Sequence, residues 1–122
     1  MTRKIALIVD DNEANLILAR DILRLVGFET LEATDAESGM ETAIREKPDF
    51  ILMDIRLPGM NGLEATAILK SNPETACIPI VAISASVFSE DRQKAISAGC
   101  EGFLEKPFRF DEFKAVASKY LV

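Results

Sequence analysis

Phe50-Ile51-Leu52-Met53-Asp54 lies near the middle of the chain and runs into Ile55-Arg56-Leu57-Pro58-Gly59-Met60-Asn61-Gly62. The first four residues are apolar without a break and end on a carboxylate. Half-buried strands alternate apolar and polar residues. A short run that is apolar throughout fits a strand covered on both faces, as in a parallel sheet sandwiched between helices. Pro58-Gly59 and Asn61-Gly62 then punctuate a turn and open a helix. Strand, turn and helix follow one another here, and the same order recurs on either side.

Upstream, Ile5-Ala6-Leu7-Ile8-Val9 precedes Asp10-Asp11-Asn12; downstream, Ile80-Val81-Ala82-Ile83 precedes Ser84-Ala85-Ser86. Both runs read as fully buried strands. Thr30-Leu31-Glu32-Ala33 alternates more and is placed at a sheet edge, and Gly102-Phe103-Leu104 is the last strand, followed by Glu105 and Lys106-Pro107. The helices between them have readable ends. The first starts after Asp11-Asn12 and stops at Gly27, with Leu16, Ala19, Leu23 and Val26 in one stripe and Ile22 beside it. Leu18 and Leu25 fall outside that stripe, which makes them either part of a broad buried face or a docking surface. The second starts near Thr34-Asp35 and ends at Lys47, because Pro48 disfavours helix at the residue before it. The third starts after Asn61-Gly62 and stops before Pro73. The fourth is capped by Ser89, carries Glu90 and Asp91 in its first turn and ends at Gly99; the fifth runs from about Phe110 to Leu121. This alternation predicts right-handed crossovers and an α/β fold, a (βα)5 five-stranded parallel sheet with helices on both faces, in one domain over residues 1–122.

Composition narrows the function. Fourteen basic against 20 acidic residues leave a formal charge of −6, which argues against direct binding of nucleic acid. No apolar stretch approaches the roughly 20 residues of a membrane span, and the start of the chain does not read as a signal peptide. The absence of histidine removes Ser/His and Cys/His catalysis and most transition-metal sites. Cys77 and Cys100 have no metal-ligand spacing and read as reduced cytosolic thiols.

A doubly wound parallel sheet places its ligand site beyond the carboxyl ends of its strands. Those ends carry Asp10 and Asp11, Asp54, Ser84-Ala85-Ser86, and Lys106-Pro107. Each residue taken singly reads as a cap, a turn or a solvated lysine. Together they gather three carboxylates, hydroxyls and one ammonium around one crevice. Carboxylates crowded together repel by about 4 kcal/mol per pair at 4 Å and an effective dielectric near 20. A cation relieves this, and an oxygen-only set selects Mg²⁺, Mn²⁺ or Ca²⁺. Mg²⁺ favours one or two carboxylates plus phosphate oxygens, so a carboxylate nucleophile forming an aspartyl phosphate suits the set.

The segments Ile8-Val9-Asp10-Asp11-Asn12, Leu52 to Gly62, Ile83-Ser84-Ala85 and Ala98 to Phe108 resemble, in order and spacing, the receiver domain of two-component response regulators. That resemblance covers the chain from end to end and implies a doubly wound, flavodoxin-like fold. It implies that Asp54 is the phosphoacceptor. It implies a Mg²⁺ site (Mn²⁺ also suits) in which Asp11 binds directly, Asp10 chiefly through water, and Asp54 and the main-chain carbonyl of Arg56 complete the protein ligands. Ser84 would hold a phosphoryl oxygen and act as a switch with Phe103, which stands where tyrosine is frequent and lacks its hydroxyl. Lys106 would pair with the phosphoryl group, and Pro107 would follow a cis peptide bond. Ala85 and Ser86 would border the phosphoryl entry, and Ser86 and Arg56 would line its mouth.

The resemblance further implies a cytoplasmic switch rather than a turnover enzyme. Its phosphodonor would be a sensor histidine kinase or a histidine phosphotransferase, docking near Ala14, Asn15, Leu18 and Phe108. Its output would be a downstream protein target, with the chain a monomer or a weak phosphorylation-dependent dimer. A receiver excised from a larger regulator or hybrid histidine kinase has the same sequence features, and a phosphorylation-independent binding module is the alternative in class. Two other classes fit less well. A Mg²⁺ phosphohydrolase usually needs a second Asp where Arg56 stands, and a nucleotide-binding module needs a glycine-rich phosphate loop after the first strand.

Overall fold

The computed structural model describes residues 3–85 and 89–121. Ser86, expected at the mouth of the site, lies outside the described residues. The elements alternate as β1 (Ile5–Val9), α1 (Glu13–Val26), β2 (Glu29–Ala33), α2 (Ala36–Glu46), β3 (Phe50–Asp54), α3 (Gly62–Ser71), β4 (Ile80–Ser84), α4 (Ser89–Ala98), β5 (Gly102–Glu105) and α5 (Phe110–Ser118). The strands form one sheet in the order β2-β1-β3-β4-β5, and every neighbouring pair is parallel. The run that alternates, β2, is at an edge.

Successive strand residues face opposite sides of the sheet, and two cores result. Leu7 and Val9, Ile51 and Met53, and Ile80 and Ala82 point to one side, where Ala36, Ala43, Ala65, Leu69 and Ala95 of α2, α3 and α4 cover them. Ala6 and Ile8, Phe50 and Leu52, and Val81 and Ile83 point to the other, against Leu16, Ala19, Ile22 and Leu23 of α1 and Phe113 and Ala117 of α5. This double burial is why three of the strands lack polar residues before their last position. The chain direction across the sheet reverses between β1 and β3, which opens a crevice at their carboxyl ends.

Helix starts are set by local chemistry. Asn12, Asp35 and Asn61 have extended backbones, and their side-chain oxygens accept from Asn15 N, Ser38 N and Glu64 N at 3.1, 2.8 and 2.9 Å. The Ser38 backbone bond, aided by its hydroxyl, lowers the pKa of Asp35. Some expected boundaries shift. α2 ends at Glu46 with Lys47 as its C-cap and α5 ends at Ser118 rather than Leu121, whereas Asp35 caps α2 within the expected Thr34-Asp35 start and α4 begins at Ser89. Beyond Ser118 the chain tightens, with Tyr120 N and Leu121 N donating to Ala117 O and Ser118 O. Val26 is only half-buried, because α1 rolls its Leu16, Ala19, Ile22 and Leu23 side inward. Leu18 and Leu25 are 42% and 75% exposed, so a broad buried face does not account for them.

Tyr120, the sole tyrosine, stacks on Phe50 with ring centroids 4.8 Å apart and donates its hydroxyl to Glu101 Oε2 at 3.2 Å. Burial, with the Glu101 carboxylate beside it, pushes its pKa up to about 12. The phenol form is favoured in the folded state. Its contribution to stability is complete below the ordinary tyrosine value and is lost as pH rises through about 12. With no tryptophan present, tyrosinate absorbance should report a midpoint near 12 in the folded protein and near 10 after Glu101 and the stack are lost by unfolding in urea.

Candidate phosphoacceptor site

Three parallel strands deliver the buried part of the site. Asp10 immediately follows β1 and continues the ladder, its N–H donating to Ala33 O at 3.1 Å. Asp54 closes β3, paired in register with Ile83. The Lys106 N–H donates to Ser84 O at 2.8 Å, carrying the β4–β5 ladder past Glu105. The next peptide bond, Lys106–Pro107, is cis.

These registers bring the charged groups together. Lys106 Nζ donates to Asp54 Oδ2 at 2.9 Å and is also 2.9 Å from Asp10 Oδ2. Asp54 Oδ1 accepts from the Arg56 N–H at 2.9 Å, and Asp10 Oδ1 accepts from the Asn12 N–H at 2.9 Å. Asp10 and Asp54 are buried, whereas Asp11 is exposed at the rim. One carboxylate oxygen from each of Asp10, Asp11 and Asp54 lies within 4.8 Å of the others. Burial pushes the Asp54 carboxyl above its ordinary pKa, against the opposing pull of Lys106. Burial also works against the Lys106 charge, but the hydrogen bonds and attraction of Asp54 and Asp10 outweigh it and raise the ammonium pKa.

The donor set fits a hard divalent cation. Three carboxylates face one ammonium, a local excess of two negative charges when all are ionised. Among the described residues, Asp10 Oδ2 is buried with the Lys106 ammonium at 2.9 Å as its one close partner. All side-chain ligands are oxygens, as Mg²⁺ and Mn²⁺ prefer. A cavity of about 530 Å³ adjoins the cluster, lined by Asp11, Arg56, Pro58, Asn61, Asp91 and Lys94 among others.

Ser84 is buried at the end of β4, and Ala85 beyond it is exposed. Ser84 pairs with Glu105 and Ala82 with Phe103, so Ser84 and Phe103 belong to the same face of adjacent strands. Phe103 is half-buried against the α2–α3–α4 core, and the Arg92 guanidinium lies 5.2 Å from its ring centroid. The residues expected to receive a partner lie elsewhere. Ala14 and Leu18 are exposed on α1, Asn15 is half-buried there, and Phe108 is half-buried with its ring edge-on to Phe113 at 5.0 Å.

Three features escape a reading of the sequence. Arg56 Nη2 donates to Asp91 Oδ2 at 3.2 Å, 35 residues away. Arg92 covers Phe103. Gly62 is not merely a turn residue: as the first residue of α3 it lies so close to β3 that an added Cβ would stand 2.0 Å from Asp54 O. Asp91 and Arg92 carry only the signal of a charged first helical turn, and their partners become visible once β3, α4 and β5 are adjacent.

The family model of the response regulator receiver domain matches residues 6–118. The polar-differentiation response regulator DivK of Brucella anthropi is 36% identical over 118 residues, covering 97% of this chain and 96% of DivK. Among solved structures, the receiver domain of the sensor histidine kinase PA1611 from Pseudomonas aeruginosa, with magnesium coordinated in its active site cleft, is 29% identical with a TM-score of 0.89, covering 98% of each chain. A CheY-like receiver domain protein from Methanospirillum hungatei is 26% identical with a TM-score of 0.86, over 98% of this chain and 94% of the other. The match over nearly the whole chain, on a fold that gathers the acidic cluster at its switch point, makes this protein a member of the response regulator receiver domain family of two-component signalling.

Proposed function

We propose that this receiver, a single domain over residues 1–122, accepts a phosphoryl group on Asp54 in a Mg²⁺-dependent reaction and thereby switches its protein contacts in the cytoplasm. The observation that carries this reading is the cluster of Asp10, Asp11 and Asp54 oxygens within 4.8 Å, with Lys106 bridging Asp10 and Asp54 at 2.9 Å each. The donor is the phosphohistidine of a sensor kinase or histidine phosphotransferase. An electron pair of the Asp54 carboxylate forms the new O–P bond as the P–N bond breaks, and the imidazole leaves with a proton from solvent or its own protein. Arg56 N–H and Lys106 hold the two Asp54 oxygens in place beforehand, so little reorganisation is left for the transfer itself. Lys106 and the Ser84 hydroxyl then pair with phosphoryl oxygens.

Asp11, Asp54, the Arg56 carbonyl and Asp10 through water are the groups that would hold Mg²⁺ or Mn²⁺. The ion supplies positive charge to the phosphoryl oxygens. Movement of Ser84 toward the new group frees volume on the face it shares with Phe103, and the turning aromatic alters the α4–β5–α5 surface that a downstream protein reads. Kinase docking uses Ala14, Asn15 and Leu18 of α1 with Phe108 beside α5, where exposed Leu18 provides apolar area.

Metal binding gives one expected outcome. Mg²⁺ at 100 times its Kd should stabilise the fold by about 2.7 kcal/mol, a rise in Tm of about 10 °C for a domain of this size. Asp11→Asn should raise that Kd by about tenfold or more, measured by calorimetric titration. The reading itself is tested with Mg²⁺ and beryllofluoride, a stable phosphoryl mimic, followed by ¹⁹F NMR. A bound resonance that requires Mg²⁺ and Asp54 supports it. Its absence, with the protein folded, favours a binding module that works without phosphorylation.

A further inference from the structure

Asp91 and Arg92 are neighbours in the first turn of α4, and they tie that turn in two directions. Asp91 Oδ2 accepts from Arg56 Nη2 at 3.2 Å, linking α4 to the segment after β3. The Arg92 guanidinium lies 5.2 Å from the Phe103 centroid, and its Nη2 is 3.8 Å from Glu105 Oε1, linking α4 to β5. Arg56 is also held at its other end, since its N–H donates to Asp54 Oδ1 at 2.9 Å. One residue therefore joins the candidate phosphoacceptor through its main chain to α4 through its guanidinium. Asp11, Arg56, Asp91 and Lys94 line the same cavity, and Lys94 already faces Glu90 at 3.6 Å. Among the described residues lining that cavity, Arg56 is the cation paired with a carboxylate of another element.

Resting on the phosphoacceptor reading, we infer that a phosphoryl group on Asp54 competes with Asp91 for the Arg56 guanidinium, so that the Arg56–Asp91 pair is a latch on α4 that opens on phosphorylation. The Arg56 side chain is 66% exposed against 15% for Asp91, so the guanidinium is the solvent-facing partner of the pair and the one free to exchange. A phosphoryl group brings nearly two negative charges and three acceptor oxygens, which suit a planar guanidinium better than a single-point contact to Asp91. Opening the latch removes one tie on the first turn of α4, while Arg92 keeps its contacts with Phe103 and Glu105. This route from site to surface runs through charge, alongside the Ser84 route through volume. Asp91 touches no reacting atom; it is a positioning residue for Arg56.

The test is amide hydrogen exchange on the whole protein at residues 93–96, whose helical bonds go to the carbonyls of the first turn. In the wild type, Mg²⁺ with beryllofluoride should speed exchange there by about two- to fivefold, the range set by an exposed ion pair. Asp91→Asn should show that faster exchange already without beryllofluoride and change little on loading, whereas Asp91→Glu should keep the wild-type response. A bound ¹⁹F resonance together with a wild-type response in Asp91→Asn would overturn the latch and leave the phosphoacceptor reading standing. Loss of the ¹⁹F resonance in the wild type would overturn both.

Discussion

Asp54→Asn is expected to abolish phosphoryl acceptance and, without divalent cations, to make the protein more stable. The first effect follows because a neutral amide oxygen is no nucleophile toward phosphorus at neutral pH. The second follows from the environment of Asp54. Burial pushes its carboxyl upward, and Lys106, which opposes that push, is shared with Asp10 at the same 2.9 Å. A carboxyl raised in the folded state contributes stability below its unfolded pKa and loses it as pH rises through its folded value. At neutral pH the ionised form is therefore a cost, and the amide removes it while leaving Lys106 paired with Asp10. The gain should appear as a higher urea midpoint for the variant than for the wild type at neutral pH. Urea unfolding at pH 7 with a chelator present measures it. A loss of about 3–5 kcal/mol instead would mean that Lys106 depends on Asp54 alone and is stranded by the change.

Gly62→Ala is expected to damage both fold and site. An added Cβ would stand 2.0 Å from Asp54 O, 2.8 Å from Asp54 C and 2.9 Å from Ile55 Cα. All three are backbone atoms, so no side chain can rotate away. Either α3 must draw back or the end of β3 must move, and the Gly62 N–H bond to Ile55 O at 3.3 Å ties the two together. Overpacking of this kind should cost about 3 kcal/mol, and a displacement near 1 Å at Asp54 should slow phosphoryl acceptance by about 100-fold. Gly59→Ala is the control. Gly59 has a φ of 75° but no atom of the described residues within 4 Å of an added Cβ, so the left-handed backbone penalty of about 1–2 kcal/mol applies there without a collision. Unfolding curves and phosphorylation rates of the two variants should separate collision from conformational strain. Equal effects would remove the close approach as the reason for glycine at position 62.

Much of the fold is legible in the residues themselves. Ile5–Val9, Phe50–Met53 and Ile80–Ile83 read as buried strands because both faces of the sheet are covered, which leaves no polar residues to blur the pattern. Caps are readable where the side chain itself makes the bond, as at Asn12 and Asn61. The charged residues at the strand ends are legible jointly, since a parallel sheet must bring its carboxyl ends together. Boundaries set by packing are less so. The residues after Ser118 keep an apolar character because Tyr120 and Leu121 pack against the core, yet they do so from a turn. In the sequence Leu18 fits two readings, and only the roll of α1 on the sheet, which leaves it 42% exposed, decides against the buried one. Gly62 and the Arg56–Asp91 pair are hidden for a different reason. A missing Cβ matters only where another backbone arrives, and an ion pair 35 residues apart has no local sequence pattern.

The most direct measurement of phosphoryl acceptance at Asp54 is intact-mass spectrometry after incubation with Mg²⁺ and acetyl phosphate, comparing the wild type with Asp54→Asn. The expected result is a single labile phosphoryl adduct that requires Mg²⁺ and is absent from the variant. A stable adduct, or one that persists in Asp54→Asn or forms equally well in chelator, would contradict it.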